Sequence, residues 1–136
     1  MDKTELLKLA VALYGQLASV SDYSIPDKMP EVHAFPKSIV QDLVCGHPCH
    51  IRAFYHPDFG LVADDALGDT PYDRSIILHE LVHHAQHITG RFDKLHGCEM
   101  RAASEKEAFV IQNRYLMHHG ADPIPIFGFD HMCESR

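Results

Sequence analysis

Residues 71–90 read PYDRSIILHELVHHAQHITG, a segment with the start and end signals of a long helix. Pro71 is a residue that the first turn of a helix prefers, and Gly90 is a residue that commonly follows the last turn. We therefore predict a helix over 71–89. The motif His79-Glu80-Leu81-Val82-His83 lies inside it.

The spacing within this motif points to a metal site. Residues four apart on a helix share a face, so the imidazoles of His79 and His83 can converge on one ion. Glu80 lies at the edge of that face, where its carboxylate can hold the attacking water and act as general base. Histidine is unusually frequent, with 12 of 136 residues. We expect one Zn²⁺ per chain.

The rest of the chain predicts one α+β domain covering residues 1–136, in the order helix, small sheet, helix, helix. The segment 23–36 contains three prolines and is interpreted as a loop or edge segment. The other expected elements are a helix over 4–20 capped by Thr4, a hairpin over 50–62 with its turn at 57–60, and a helix over 99–118 ended by Gly120.

Charge and hydropathy exclude two classes of partner. The net charge is -7, so the chain lacks the basic surface that nucleic-acid binding requires. The apolar stretch 9–17 is too short to span a bilayer, and Asp2 and Glu5 do not suit a signal peptide. We expect a cytoplasmic protein as the chain stands, with a periplasmic or secreted location open if a leader was removed. The oligomeric state is undetermined.

The four cysteines are Cys45, Cys49, Cys98 and Cys133, an even number that permits three disulfide pairings. A metal site would need a second close pair of cysteines beside Cys45 and Cys49. Paired or buried thiols are therefore favoured over a cysteine metal site.

A catalytic zinc takes three protein ligands, so one more is expected from the last predicted helix. The motif followed by Glu105-Lys106-Glu107-Ala108 resembles compact gluzincins, zinc metallopeptidases whose second helix provides a glutamate in a Glu-x-x-Ala or Glu-x-Glu-Ala context. The resemblance implies a minimal zincin-like fold with Glu105 as third ligand. Helical geometry alone leaves Glu107 open, because the two residues lie on nearly opposite faces of the helix and both have small or apolar neighbours.

The chain is also similar to small uncharacterised bacterial zincin-like domains. In these a glutamine follows the motif by three positions and a Glu-Ala-x-x-x-Gln-Asn segment recurs, which here are Gln86 and the segment 107–113. The similarity covers about half the chain.

Several further residues are candidates for the site. Glu99 is an alternative ligand, although a carboxylate at a helix start is equally explained by the helix dipole. His87 could share the metal face and His84 should point away, and both are interpreted as surface or supporting residues. A donor to the developing oxyanion is sought among Tyr115, His118, His119 and His131, and His131 is the one we name as catalytic.

The expected activity is zinc-dependent hydrolysis of a peptide or protein, with an extended substrate pairing to a sheet edge at 51–55 or 61–63. The main alternative is a non-catalytic, zinc-stabilised protein-binding module without a formed substrate cleft. A second alternative is a disulfide-stabilised secreted interaction domain, for which no stoichiometric metal is expected.

Overall fold

A computed structural model describes residues 1–129, 133 and 134. The described part has four helices and a three-stranded mixed sheet, which confirms the α+β class. Among the described residues, no helix has the length and hydropathy needed to cross a membrane. The elements in chain order are α1 Lys3–Val20, β1 Val32–Phe35, α2 Lys37–Val44, β2 Ala53–His56, β3 Gly60–Asp64, α3 Pro71–Thr89 and α4 Gly97–His118.

Helix α1 covers one side of the core. Asp2 caps it, since its carboxylate accepts from the Glu5 N–H at 2.8 Å while the Glu5 side chain accepts from Asp2 N. The prediction of Thr4 as the cap is wrong by two positions, because Thr4 already lies in the first turn. The buried face of α1 consists of Leu6, Ala10, Leu13, Tyr14 and Leu17.

The sheet has the strand order β1-β3-β2, with β3 in the centre and all of its residues buried. The predicted hairpin is confirmed as the antiparallel pair of β2 and β3. Within the segment interpreted as a loop or edge, β1 forms an edge strand and pairs parallel to β3, with Val32 opposite Leu61.

Helix α2 is absent from the predicted order. It has eight residues and only Val40 and Gln41 are buried, whereas Ile39, Leu43 and Val44 are exposed. A helix this short is marginal by itself, and its pattern covers too few turns to show a period. Tertiary contacts hold it, including the bond from Gln41 Nε2 to the Cys49 carbonyl.

The cysteines form two disulfides, Cys45–Cys49 and Cys98–Cys133. The expectation of paired thiols is confirmed. The first disulfide lies in the connection between α2 and β2, and the second ties the first turn of α4 to the last described residues.

Helices α3 and α4 pack side by side and carry the motif region. The bounds of α3 agree with the prediction, and Thr70 caps it by accepting from Asp73 N at 3.1 Å. Gly90 ends it in the left-handed conformation, with φ of 65°. Helix α4 ends where expected but starts two residues earlier, at Gly97.

Candidate metal centre

The face of α3 that carries the motif lies between β2 and α4. Leu78, Leu81 and Val82 are fully buried in the core, which fixes the rotation of the helix. His79, Glu80 and His83 then offer ligand atoms that all lie within 4.8 Å of one another. This group could hold a metal ion.

Helix α4 adds a carboxylate to the same place. Glu105 Oε1 lies 3.4 Å from His79 Nε2 and also contacts His83 Nε2. Glu107 lies on the other side of α4, where it contacts Tyr23, Gln86 and Arg91. Of the two glutamates that the sequence left open, Glu105 is therefore the one that approaches both imidazoles.

The ring of His83 is oriented by Gln86, one turn further along α3. The Gln86 Nε2 donates to the Ser104 carbonyl at 2.9 Å, so its Oε1 must be the atom that faces His83 Nδ1 at 2.8 Å. An amide oxygen can only accept, so His83 carries its proton on Nδ1. Its Nε2 is therefore the atom that faces Glu105, where the two groups can share a proton or a metal ion.

The ring of His79 is held in the same way from α4. Ser75 donates to the Tyr72 carbonyl at 2.6 Å, and Gln112 Nε2 donates to Ser75 Oγ at 3.0 Å. The Gln112 Oε1 therefore accepts from His79 Nδ1, at 2.9 Å. The result is a second imidazole whose Nε2 presents a lone pair to the centre of the group.

The spacing arguments did not predict a role for these two glutamines. Both were named only in the resemblance to the bacterial zincin-like domains. Helical spacing could have found them. Gln86 follows His83 by three positions and Gln112 follows Glu105 by seven, and both spacings place the side chains on one helix face.

The ionisable groups at the centre shift one another's pKa. Burial would raise the pKa of Glu105, but hydrogen bonds and charge from His79 and His83 outweigh it and lower that pKa well below its usual range. Burial would lower the pKa of His83, but Glu105 and Glu80 outweigh it and raise that pKa to about 9. A carboxylate facing two imidazole lone pairs is stable only when the three share a cation, either a proton or a metal ion.

Glu80 occupies a buried position beside the ligand atoms. Its Oε1 accepts from the backbone N–H of Tyr55 at 3.0 Å, and its Oε2 lies 3.8 Å from His79 Nε2. Burial raises the pKa of this carboxyl group, and the neighbouring histidines partly offset that rise. Tyr55, which the sequence placed in the candidate edge segment 51–55 but not at the metal centre, thus connects β2 to the centre.

The strand order distinguishes the two segments that the sequence offered as a sheet edge. β2 lies at the edge of the sheet next to Glu80, whereas the segment 61–63 belongs to the central strand and is paired on both sides. Of the two segments, 51–55 is the one that contains edge-strand residues.

Two cavities, each of 390 Å³, meet at Glu80 and Glu105. One, which we call the Asp93 cavity, lies towards the end of α3. The other, which we call the Ile51 cavity, lies towards the end of α2. The Asp93 cavity is also lined by Tyr55, Pro57, His83, Gln86, His87, Phe92, Asp93, Met100 and Ser104. The further lining of the Ile51 cavity is mainly apolar, with Val44, Ile51, Phe54, Tyr72, Ile76, Phe109 and Ile124.

A larger cavity, of 1180 Å³, lies elsewhere, between the end of α1 and the outer face of α4. It contains none of the residues of the metal centre. It is lined by Arg91 and Glu107, whose charges pair with each other.

The remaining predicted residues lie outside the centre. His84 points away from the ligands, as expected, but it is buried against Tyr14 and Tyr55, which corrects the surface interpretation. That burial lowers the pKa of His84 to about 4. His87 is exposed and lines the Asp93 cavity. Glu99 is exposed in the first turn of α4.

The candidate oxyanion donors on α4 do not reach the site. Tyr115 is 1% exposed and belongs to the core. His118 and His119 follow Glu105 by at least thirteen residues, or about 20 Å of helix. His131, named as catalytic from the sequence, lies outside the described residues.

Comparison with known proteins identifies a family and nothing more specific. The family model described as "Domain of unknown function (DUF6647)" matches residues 3–124. No curated protein and no solved structure matches the chain.

Proposed function

The chain belongs to the DUF6647 family, and we propose that it is a zinc-dependent peptidase. In this proposal His79, His83 and Glu105 bind the metal and Glu80 is the general base. The substrate is a peptide or protein that lies across the two cavities.

One observation carries the proposal. Two Nε2 atoms and a carboxylate oxygen converge, and each imidazole has its Nδ1 proton held by a glutamine whose own orientation is determined by a further hydrogen bond. Metal-binding histidines have their second nitrogen engaged in this way. Two imidazoles and one carboxylate with an open position suit zinc better than the harder cations, which prefer oxygen ligands.

Each residue then has a chemical task. When bound, zinc supplies the Lewis acidity that polarises a peptide carbonyl and acidifies water. Glu80 receives a proton from the water as the water oxygen bonds to the carbonyl carbon. It passes that proton to the amide nitrogen as the carbon–nitrogen bond breaks, so that an acid and an amine leave. The Tyr55 N–H keeps one Glu80 oxygen in place while the other faces the centre.

The cavities favour a peptidase over the zinc-stabilised binding module. A binding module has no need for an open cleft on both sides of its structural metal, since structural zinc sites are closed. Here Glu80 and Glu105 line a cavity on each side. The edge strand β2 beside them is suited to pair with an extended peptide.

The two disulfides also bear on location. Disulfides persist mainly in oxidising compartments. We therefore favour the periplasmic or secreted alternative over the cytoplasm for the working protein.

The first test is metal content after purification without added metal. We expect one zinc per chain, and none in a His79→Ala, His83→Ala double variant. A His47→Ala, His118→Ala variant is the matched control, because both of these histidines lie outside the centre and are exposed. Metal-free, folded wild-type protein would refute the zinc site.

The second test separates the enzyme from the binding module. Cleavage of a mixed peptide library is measured for the zinc-loaded wild type and for Glu80→Gln. The enzyme predicts that Glu80→Gln keeps its zinc but loses about 10² to 10⁴-fold in turnover. Zinc-loaded wild type that cuts no peptide would favour the binding module.

A further inference from the structure

The Asp93 cavity contains a carboxylate that the metal centre does not explain. Asp93 lines the same cavity as Glu80 and Glu105, and its side chain is exposed to solvent. It lies in the connection between α3 and α4, just beyond Gly90.

The carboxylate of Asp93 lies beside the carboxyl end of α3. A Cβ built on Gly90 would lie 2.6 Å from Asp93 Oδ2, so the carboxylate packs directly against the end of α3. The carboxyl end of a helix carries partial negative charge, which repels an anion. A cation bound at Asp93 would relieve that repulsion.

Within the described part of the chain, no side chain supplies that cation. Asp93 has no hydrogen bond or ion pair through its side chain there. The nearby Arg91 is already engaged, since its guanidinium bonds Asp22 and Glu107 and stacks over Tyr23. A cation that pairs with Asp93 would therefore come from outside the described part of the chain.

The walls of the cavity indicate what kind of cation fits. Tyr55, Pro57, Phe92 and Met100 line the same cavity as Asp93 and present apolar surface to it. A lysine or arginine side chain has an apolar stem and a charged end, and such side chains bury the stem along apolar surface. A volume of 390 Å³ is at the lower end for ligand sites and suits one side chain.

We infer that the Asp93 cavity binds a lysine or arginine side chain of the substrate, next to the bond that is cut. The inference rests on the proposed peptidase function. Tyr55, Phe92 and Met100 contact the stem, and Asp93 pairs with the ammonium or guanidinium group. The peptidase then selects peptides with a basic residue at one position flanking the scissile bond.

The test compares three fluorogenic peptides that differ only at that position, with arginine, glutamine or glutamate, at pH 8. For wild type we expect kcat/KM about fivefold higher for arginine than for glutamine, the size of a partly exposed ion pair. Asp93→Asn should remove the preference, and Asp93→Lys should shift it to glutamate. Asp27→Asn, an equal charge change at an exposed site outside the cavities, should leave it intact.

A binding measurement keeps the two proposals distinguishable. The same three peptides are titrated into zinc-loaded Glu80→Gln, which should not cut them. Cleavage without an Asp93-dependent preference for arginine overturns the inference and leaves the peptidase standing. Asp93-dependent binding of the arginine peptide without any wild-type cleavage supports the cavity and overturns the peptidase. If the peptides are neither cut by the wild type nor bound by Glu80→Gln, both proposals are overturned.

Discussion

Replacing Gln112 with leucine removes the acceptor that holds the ring of His79. In the wild type, Gln112 is 3% exposed, and its Oε1 accepts from His79 Nδ1 at 2.9 Å. Leucine has a similar volume but offers no acceptor, so the buried Nδ1 proton loses its partner. The imidazole ring can then rotate, or its proton can move from Nδ1 to Nε2. In either case His79 no longer directs an Nε2 lone pair towards Glu105.

The expected effect on zinc binding follows from this loss. Removing the partner of a metal-binding histidine typically costs roughly 10 to 100-fold in affinity. That factor corresponds to about 1.4 to 2.7 kcal/mol of binding free energy. The unpaired N–H should also lower the free energy of unfolding of the metal-free protein by about 1 to 3 kcal/mol.

Zinc affinity is measured by competition with a chromophoric chelator, and folding of the variant by circular dichroism. Gln16→Leu is the matched control, because Gln16 Oε1 is buried with no hydrogen-bond partner among the described residues. Its loss should leave zinc affinity unchanged. If a folded Gln112→Leu variant binds zinc as tightly as the wild type, the orienting role of Gln112 is refuted.

Three further predictions concern the ligand, the disulfides and the buried histidine. Glu105→Gln should weaken zinc binding by at least about 100-fold, and Glu107→Gln by less than about tenfold, because of these two glutamates Glu105 is the one that faces both imidazoles. Loss of Cys98–Cys133, which spans 35 positions, should cost about 4 kcal/mol of unfolding free energy, against about 2 for Cys45–Cys49, which spans 4. Lowering the pH from 6.5 to 4 should lower the free energy of unfolding by at most about 3 kcal/mol through His84. The pKa of His84 is about 4 in the folded protein and about 6.5 in the unfolded chain, so protons bind the unfolded state first.

Each of these has its own contradicting result. Equal zinc affinity of the two glutamate variants, by the same chelator competition, would show that the assignment of the third ligand is wrong. Denaturant unfolding of the two double-serine variants would contradict the loop-length argument if the shorter disulfide mattered more. For His84, the stability of His84→Asn between pH 6.5 and 4 should fall less steeply than that of the wild type, and parallel curves would show that His84 does not titrate there.

Most features of helix α3 could be predicted from the sequence. Its start, its end and the shared face of His79 and His83 depend on local rules, namely capping, the glycine after the last turn and the helical repeat. The hairpin of β2 and β3 was readable for the same reason, since its turn lies between two short β-prone segments.

Contacts between segments that are distant in the sequence could not be predicted from such local rules. The parallel pairing of β1 with β3 brings Val32 beside Leu61, and α2 is held by contacts that a short helix pattern does not reveal. The cysteine count permitted three pairings, and only the fold selected one.

The candidate site also combines features that follow from local sequence patterns with features that depend on contacts between distant segments. The sequence was sufficient to predict that His79 and His83 share one helix face with Glu80 at its edge, because this depends only on the helical repeat. Only the tertiary structure turned Glu105 towards them and Glu107 away, since the rotation of α4 is set by its packing on α3. It also brought Tyr55 and Asp93 to the same cleft, because those contacts depend on how a strand and a connection pack around the helices rather than on any local pattern.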